Sequence, residues 1–414
     1  MSTQAENWVV ASAAASTAPE DRVHSAAGAL RPVYLDCNAS SPLDPRVAEV
    51  MVSTLREVGN AASIHTAGRR QAHLVEDARE HVAGLVGSSA SKVVFTASAT
   101  EANNLAVHGA VQHTSAGRPR ILVSAVEHDS VFKTAEWLGA RGLARVDFVP
   151  VTRSGFVDLN ALTRLLGPDV LLVSVMAANG ETGVLNPIAK VAELAHAHGS
   201  LFHCDATQFV GRMPLNAEDV GTDLVSVSAH KLGGPMGVGA LIGTQRALAC
   251  LEPVIHGGGH ERGLRSGSLN VPGIVGFGQA AAIATAERAH ESILVTNLRD
   301  RLTAGLEDSL SGVIQIGDVE RRLPNTACLR FRNADAEAVT VNMEPVAAST
   351  GSACSAGTIE PSRVLLAMGM SPSAAFECVR FSLGRFTTDA DIEVAVARTV
   401  EAVRYVRKTT VKAT

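Results

Sequence analysis

The residues best placed to do chemistry lie between His203 and Lys231, in the segments LFHCDATQFV and DLVSVSAHKLGGP. Each is a short apolar run that ends in polar residues. Asp205 and Gln208 end the first, and Ser228, His230 and Lys231 end the second. A lysine after one buried strand and an aspartate at the end of its neighbour suit a pyridine-ring cofactor. Lysine forms a Schiff base with an aldehyde, and aspartate keeps a pyridinium nitrogen protonated. Alone, the pair fits equally well two surface residues capping strands.

A second informative stretch is STGSACSAG, residues 349–357. Cys354 sits there among small residues that pack poorly and bend easily, a setting for an exposed nucleophilic sulfur. Cys328, in ACLRF, has the apolar flanks of a structural cysteine. FTASATEANNLAV reads as strand, small-residue turn and helix. Its turn at Ser98, Ala99 and Thr100 would offer backbone N–H groups to an anion, or serve as an ordinary N-cap. His128 ends the run VSAVEH, where an imidazole can stack on a planar ring or simply bond at the surface. Arg380 and Arg385, in VRFSLGRFTT, are candidate carboxylate clamps. In HGGGHERGLRSGSLN three glycines separate His256 from His260 and argue against the helix a zinc pair would need, so no metal site is expected. That stretch reads as a loop approaching an anion, with Arg265, Ser266 and Ser268 as candidates. GGPMGVG lacks the following helix of a dinucleotide fingerprint.

The elements that must position these residues alternate from about residue 69. Amphipathic stretches such as RRQAHLVEDAREHVAGLVG and AKVAELAHAHG separate the runs KVVFT, ILVSAVEH, RVDFVPV, LLVSVMAAN, LFHCDAT, DLVSVSAHK and GVGALIG. Continuous β-branched runs are the mark of strands buried on both faces. They predict an α/β fold with a mostly parallel seven-stranded sheet covered by helices, and ligands at the strands' carboxyl ends. After Pro272 a long Ala-rich helical stretch leads to a smaller α+β domain with TACLRFR and VRFSLG as strands. The expected division is a mobile extension over 1–32, a large domain over 46–285, and a small domain of 33–45 plus 286–414.

Composition narrows the class. The 414 residues carry a net charge of −5, with no basic patch for nucleic acid or for a membrane surface. Six scattered cysteines without a CxxC pair suit a reducing cytoplasm. No apolar run reaches the roughly 20 residues that span a bilayer. Residues 1–32 lack a basic n-region, so they read as an extension, or as the product of a start codon set too far upstream, rather than a signal peptide.

Taken in order, YLDCNASSP, GNAASIHTAG, FTASATEANN, VEHDSV, ANGETG, HCDATQ, SAHK, HGGGHERGLRSGS, STGSACSAG and RFSLGRFT closely resemble the motifs of the class I cysteine desulfurases. These are fold-type I, class V aminotransferase-like enzymes that use pyridoxal 5'-phosphate, and the resemblance spans about residues 33–405. It implies a homodimer that converts L-cysteine to L-alanine. Lys231 would carry the cofactor and move protons. Asp205 would pair with the pyridinium nitrogen, Gln208 would bond the ring hydroxyl, and His128 would stack on the ring. Ala99, Thr100, Ser228 and His230 would hold the phosphate, with Ser268 reaching it from the other subunit. Arg380 would bind the substrate carboxylate. Cys354 would take the sulfur as a persulfide and pass it to a protein acceptor.

Three features depart from the family pattern. Asn179-Gly180 stands where two asparagines are usual, which leaves Asn179 as the substitute contact to ring and substrate. Ser98 stands in place of a glycine. Only 29 residues follow Arg385, too few for the tail that docks an iron–sulfur scaffold. The compact form is similar to the desulfurases of DNA phosphorothioation, with iron–sulfur assembly as the other destination. The rival readings are a selenocysteine lyase or aminotransferase on the same fold, and a non-catalytic assembly scaffold.

Overall fold

The structure is a computed structural model that describes residues 31–113, 120–351 and 360–413. Cys354 and the first 30 residues lie outside the described residues. In chain order the strands are β1 (Val33–Tyr34), β2 (Val93–Thr96), β3 (Arg120–Ser124), β4 (Arg145–Val149), β5 (Val170–Ser174), β6 (Leu201–Asp205), β7 (Leu224–Ser228), β8 (Gly239–Gly243), β9 (Val313–Gln315), β10 (Thr326–Phe331), β11 (Val346–Ala347), β12 (Ser349–Thr350) and β13 (Cys378–Ser382).

Seven of them form the expected sheet, in the order β2-β8-β7-β6-β5-β3-β4. The contacts among β3 to β7 are parallel, and only β8 runs against its neighbours. Every residue of β6, β7 and β8 is buried, as their unbroken apolar runs require. One face packs against helices Thr66–Leu85, Ile188–Ala197 and the first half of Val271–Ser309. The other face packs against Ala99–His113 and Asp129–Ala140. The first contact is close: a Cβ on Gly278 would lie 2.6 Å from Ala78 Cα, so glycine lets the two helices meet backbone to backbone.

The helix Val271–Ser309 then leaves this core. Its second half, through Val295, Leu298, Leu302 and Leu306, packs in a separate core with β10, β13 and the final helix Asp389–Ala413. There a small antiparallel sheet has the order β12-β13-β10-β9, and β1 pairs in parallel with β11. The segment after β1 crosses back towards the large sheet. Asp44 caps helix Pro45–Leu55, and its backbone N–H donates to Gly233 O at 2.9 Å.

Candidate active site

Lys231 ends the 3-10 turn Ala229–Lys231 that follows β7. Its Nζ donates to the carbonyls of Asn38 at 2.6 Å and Ala39 at 2.8 Å. Burial, then the guanidiniums of Arg212 and Arg380, lower its pKa to about 8 against the pull of Asp205 and Asp36. A useful share of the amine is therefore neutral near pH 7 and able to attack a carbonyl. Burial and the cations of Lys231 and Arg212 also lower His230 to about 4. His230 is thus neutral, with Nδ1 at 3.3 Å from Ser40 Oγ.

Asp205 is buried at the end of β6, beside the strand that leads to Lys231. Its Oδ1 accepts from the Thr207 N–H at 2.9 Å, and its Oδ2 from Asn103 Nδ2 at 2.8 Å. A carboxylate has about four lone-pair sites, so it can still accept from a ring nitrogen. Asn103 Nδ2 also donates to Ser130 Oγ at 2.8 Å. Ser130 Oγ lies 2.7 Å from His128 Nδ1, and the Ser130 N–H donates to the same nitrogen at 3.1 Å. An Nδ1 that accepts from a backbone N–H carries no proton, which assigns the neutral ring's proton to Nε2. His128 itself is exposed as the N-cap of Asp129–Ala140. A buried polar chain thus links Asp205 to an exposed imidazole. Glu127 lies behind it, and its Oε1 accepts from Ser124 Oγ and Met176 N–H. Burial pushes Glu127 up to about 8, with the charge of Asp205 adding to the rise.

Asn38 is the hub that the sequence did not single out. Its carbonyl accepts from Lys231 and from Gln208 Nε2, the latter at 2.9 Å. Its Nδ2 donates to Gly180 O and Thr326 Oγ1, both at 2.9 Å, and its Oδ1 accepts from Asn325. The one residue therefore fastens the Lys231 turn to the small sheet. Arg212, also not singled out, is buried with Nη1 on the O and Oε1 of Gln208, four residues before it, both at 3.0 Å, and its charge acts on Lys231. Asn38 acts through contacts between distant segments, for which the sequence offers no local signal.

The remaining candidates divide. Ala99 and Thr100 open helix Ala99–His113. Their N–H groups have no acceptor within the helix, as at any helix start. Gly239 makes the turn possible, since a Cβ there would lie 2.5 Å from the Ser98 carbonyl carbon and 2.7 Å from Ala99 N. Ser228 is buried at the end of β7, and Ser268 is exposed. Arg380 on β13 donates from Nη2 to Asp36 Oδ1 at 2.6 Å and from Nη1 to Gly180 O at 3.1 Å. Its buried Nε has no partner among the described residues. Arg385, by contrast, is neutralised by Asp44, Glu287 and Glu291 and is structural. Arg265 is likewise taken by Glu101 Oε1 at 2.9 Å, and Ser266 Oγ accepts from the Gly259 N–H.

Asn179 corrects the sequence reading. Its Oδ1 accepts from the N–H groups of Glu181 and Thr182 and from Thr182 Oγ1, and its Nδ2 donates to Val126 O. The Oδ1 bonds make an Asx-type turn, and Nδ2 is spent on Val126 O from another loop and on Met176 Sδ, so Asn179 is not offered to a ring or a substrate. The space beside it is filled by Gln208, whose Nε2 lies 3.0 Å from where a Gly180 Cβ would be.

A lysine of lowered pKa, an aspartate with spare lone pairs, a helix start and an arginine with a free buried N–H match the aldehyde, ring nitrogen, phosphate and amino-acid carboxylate of a pyridoxal-phosphate reaction. Residues 33–394 match the family model described as aminotransferase class-V. The chain belongs to the class-V aminotransferase family. A curated relative, "Cysteine desulfurase IscS" of Anaeromyxobacter dehalogenans, is 44% identical over 379 residues, covering 91% of this chain and 94% of the relative. A solved "NIFS-LIKE PROTEIN" superposes with a TM-score of 0.84 at 34% identity, over 90% of this chain and 100% of that one. The crystal structure of DndA from Streptomyces lividans gives a TM-score of 0.71 at 39% identity, over 83% of this chain and 97% of that one.

Proposed function

We propose that the chain works as a pyridoxal-phosphate-dependent cysteine desulfurase through the residues assembled around Lys231. The observation that carries the assignment is the pairing of Lys231 and Asp205 at adjacent strand ends, with Arg380 across from them. When bound, the cofactor supplies an electron sink for a carbanion at the substrate α-carbon. Lys231 Nζ anchors it and is placed to move the proton at that carbon. Asp205 keeps a proton on the ring nitrogen, held in line by Asn103. The N–H groups of Ala99 and Thr100, with Ser228 and His230, cradle the phosphate, and Gln208 bonds the ring hydroxyl. His128 covers the ring. Arg380 binds the carboxylate of L-cysteine, for which the unpartnered Nε–H is available. The Cys354 thiolate forms an S–S bond to the substrate sulfur as the substrate's Cβ–S bond breaks. L-Alanine leaves after protonation, and the persulfide on Cys354 goes to a protein acceptor.

The small domain would comprise 33–45 and 286–414. The boundary near 285 falls where helix Val271–Ser309 passes from one core to the other. The enzyme would act as a homodimer, with Ser268 reaching the partner's phosphate site. The five described cysteines are free, in keeping with a cytoplasmic setting. No helix among the described residues is long and apolar enough to cross a membrane. For the acceptor we propose a specialised route, DNA phosphorothioation, in which sulfur passes to a protein and no nucleic acid is touched. The 39% identity to DndA supports that placement.

The test is a chain loaded with pyridoxal phosphate and given L-cysteine and a thiol, with alanine and sulfide measured. Alanine and sulfide should form together. Cys354→Ala should stop sulfur release while leaving the cofactor bound. Lys231→Ala should abolish the borohydride-reducible cofactor link. Full sulfur release by Cys354→Ala would remove that residue from the nucleophile's role.

A further inference from the structure

We propose that Arg363 is a positioning residue for His128, holding the turn that carries it against the chain that follows residues 352–359. The inference rests on the desulfurase reading, which gives His128 its place over the ring. Arg363 opens helix Arg363–Ala367, capped by Ser362. Its Nη1 donates to Ala125 O and its Nη2 to Glu127 O, each at 2.5 Å, and Nη2 also reaches Asp129 Oδ1 at 3.2 Å. The two Nη2 acceptors are the residues immediately before and after His128. The guanidinium also stacks on Phe132, 3.8 Å from the ring centroid, and Phe132 is itself stacked on Phe148. Three acceptors at its edge and a ring at its face fix both the position and the plane of the guanidinium. A lysine ammonium can satisfy neither geometry in full.

The turn needs this support. β3 ends at Ser124, so the carbonyls of residues 125 and 127 lie beyond the sheet ladder. Arg363 takes both, and the second belongs to the peptide that leads directly into His128. The other end of the strut is equally fixed. Ser362 Oγ donates to Glu181 Oε2 at 2.7 Å, and a Cβ on Gly351 would lie 1.9 Å from Glu181 Oε1. The residues on either side of the cysteine-bearing segment therefore close on one buried carboxylate, and Arg363 extends that anchorage to the His128 turn.

The experiment compares the full chain loaded with pyridoxal phosphate as wild type, Arg363→Met, Arg363→Lys, His128→Gln and the Arg363→Met/His128→Gln double variant. The readouts are the position and pH titration of the bound cofactor's visible absorption band, and kcat and KM for alanine release from L-cysteine. Arg363→Met should shift the band in the direction His128→Gln does. It should lower kcat by ~10- to 100-fold, as a misplacement of about 1 Å can, with KM changed less than about twofold. The double variant should be no slower than the slower single variant, because the two residues act as one unit. An unshifted band in Arg363→Met, or losses that multiply in the double variant, would overturn the proposal. Should Arg363→Met not fold, Arg363→Lys decides: a partial shift supports the role and a wild-type band overturns it. A wild type that releases no alanine defeats the desulfurase reading, while the band comparison still judges Arg363.

Discussion

At the scale of single residues, the consequence most open to measurement is the lowered pKa of Lys231. Only the neutral amine attacks an aldehyde, and a pKa of about 8 means that this form grows with pH up to about 8 and then levels off. The rate of capture of pyridoxal phosphate by the cofactor-free chain should rise about tenfold per pH unit below 8 and be flat above 9. A rate still climbing between pH 9 and 10 would show an ordinary lysine. Gly180 makes a second case. A Cβ there would press on Gln208 at 3.0 to 3.3 Å, so Gly180→Asn should displace that side chain from Asn38 O. Losing one such bond costs about 1 kcal/mol, or roughly fivefold in cofactor affinity, measurable by spectroscopic titration. Unchanged or tighter binding would mean that the asparagine finds a place of its own. Lys231 and Asp205 were legible in the sequence because each follows an apolar run, so the strand end marks it. Asn38 and Asn103 were not, because each works by joining segments far apart in the chain. Asn179 was misread for a related reason: an Asx turn and a ligand-binding asparagine look alike until the backbone N–H groups around them are placed.

At the scale of elements, the strands were legible because burial on both faces leaves no polar alternation. Direction was not, since GALIG reads the same whether it runs with the sheet or against it. The glycine-rich loop after β8 carries a tie that its charges did not announce. Glu261 is buried and bidentate to Arg79, with both bonds at 2.8 Å, and also accepts from the Phe95 N–H at 2.7 Å. The loop is therefore riveted to β2 and to helix Thr66–Leu85. Arg79 also faces Glu76, but that carboxylate is largely exposed and cannot replace the buried partner. Glu261→Gln should cost about 3–5 kcal/mol, the usual loss when one member of a buried pair is removed, read by denaturant unfolding. A loss below about 1 kcal/mol would show that the site is better hydrated than its burial implies. The contact at Gly278 makes a parallel case. Gly278→Val would force the two helices apart or distort them, at about 1–3 kcal/mol, and a stability equal to wild type would mean that the helices slide freely.

At the scale of the whole molecule, the proposed homodimer needs a face, and the described surface offers one. Val52, Leu55, Val58 and Ile64 run along and beyond helix Pro45–Leu55, and Val58 and Ile64 are 86% and 90% exposed. Met236 is also exposed and lies three residues from Gly233, which is bonded to Asp44 at the start of that helix. An apolar group of this size left in water is uncommon on a monomer and marks an association surface. In a twofold dimer each substitution acts on both copies, so its effect is doubled. The wild type should therefore sediment at twice the 43.0 kDa of one chain, and Val58→Asp with Ile64→Asp should yield monomers. The same variant also tests the role of Ser268. That side chain is exposed on the single chain, and in the proposed arrangement it completes the partner's phosphate site. Monomers should then hold pyridoxal phosphate more weakly than wild type, while Ser268→Ala should weaken retention and leave the dimer intact. Dimers that survive both charges place the interface elsewhere, and monomers that retain the cofactor as tightly as wild type confine the phosphate site to one chain.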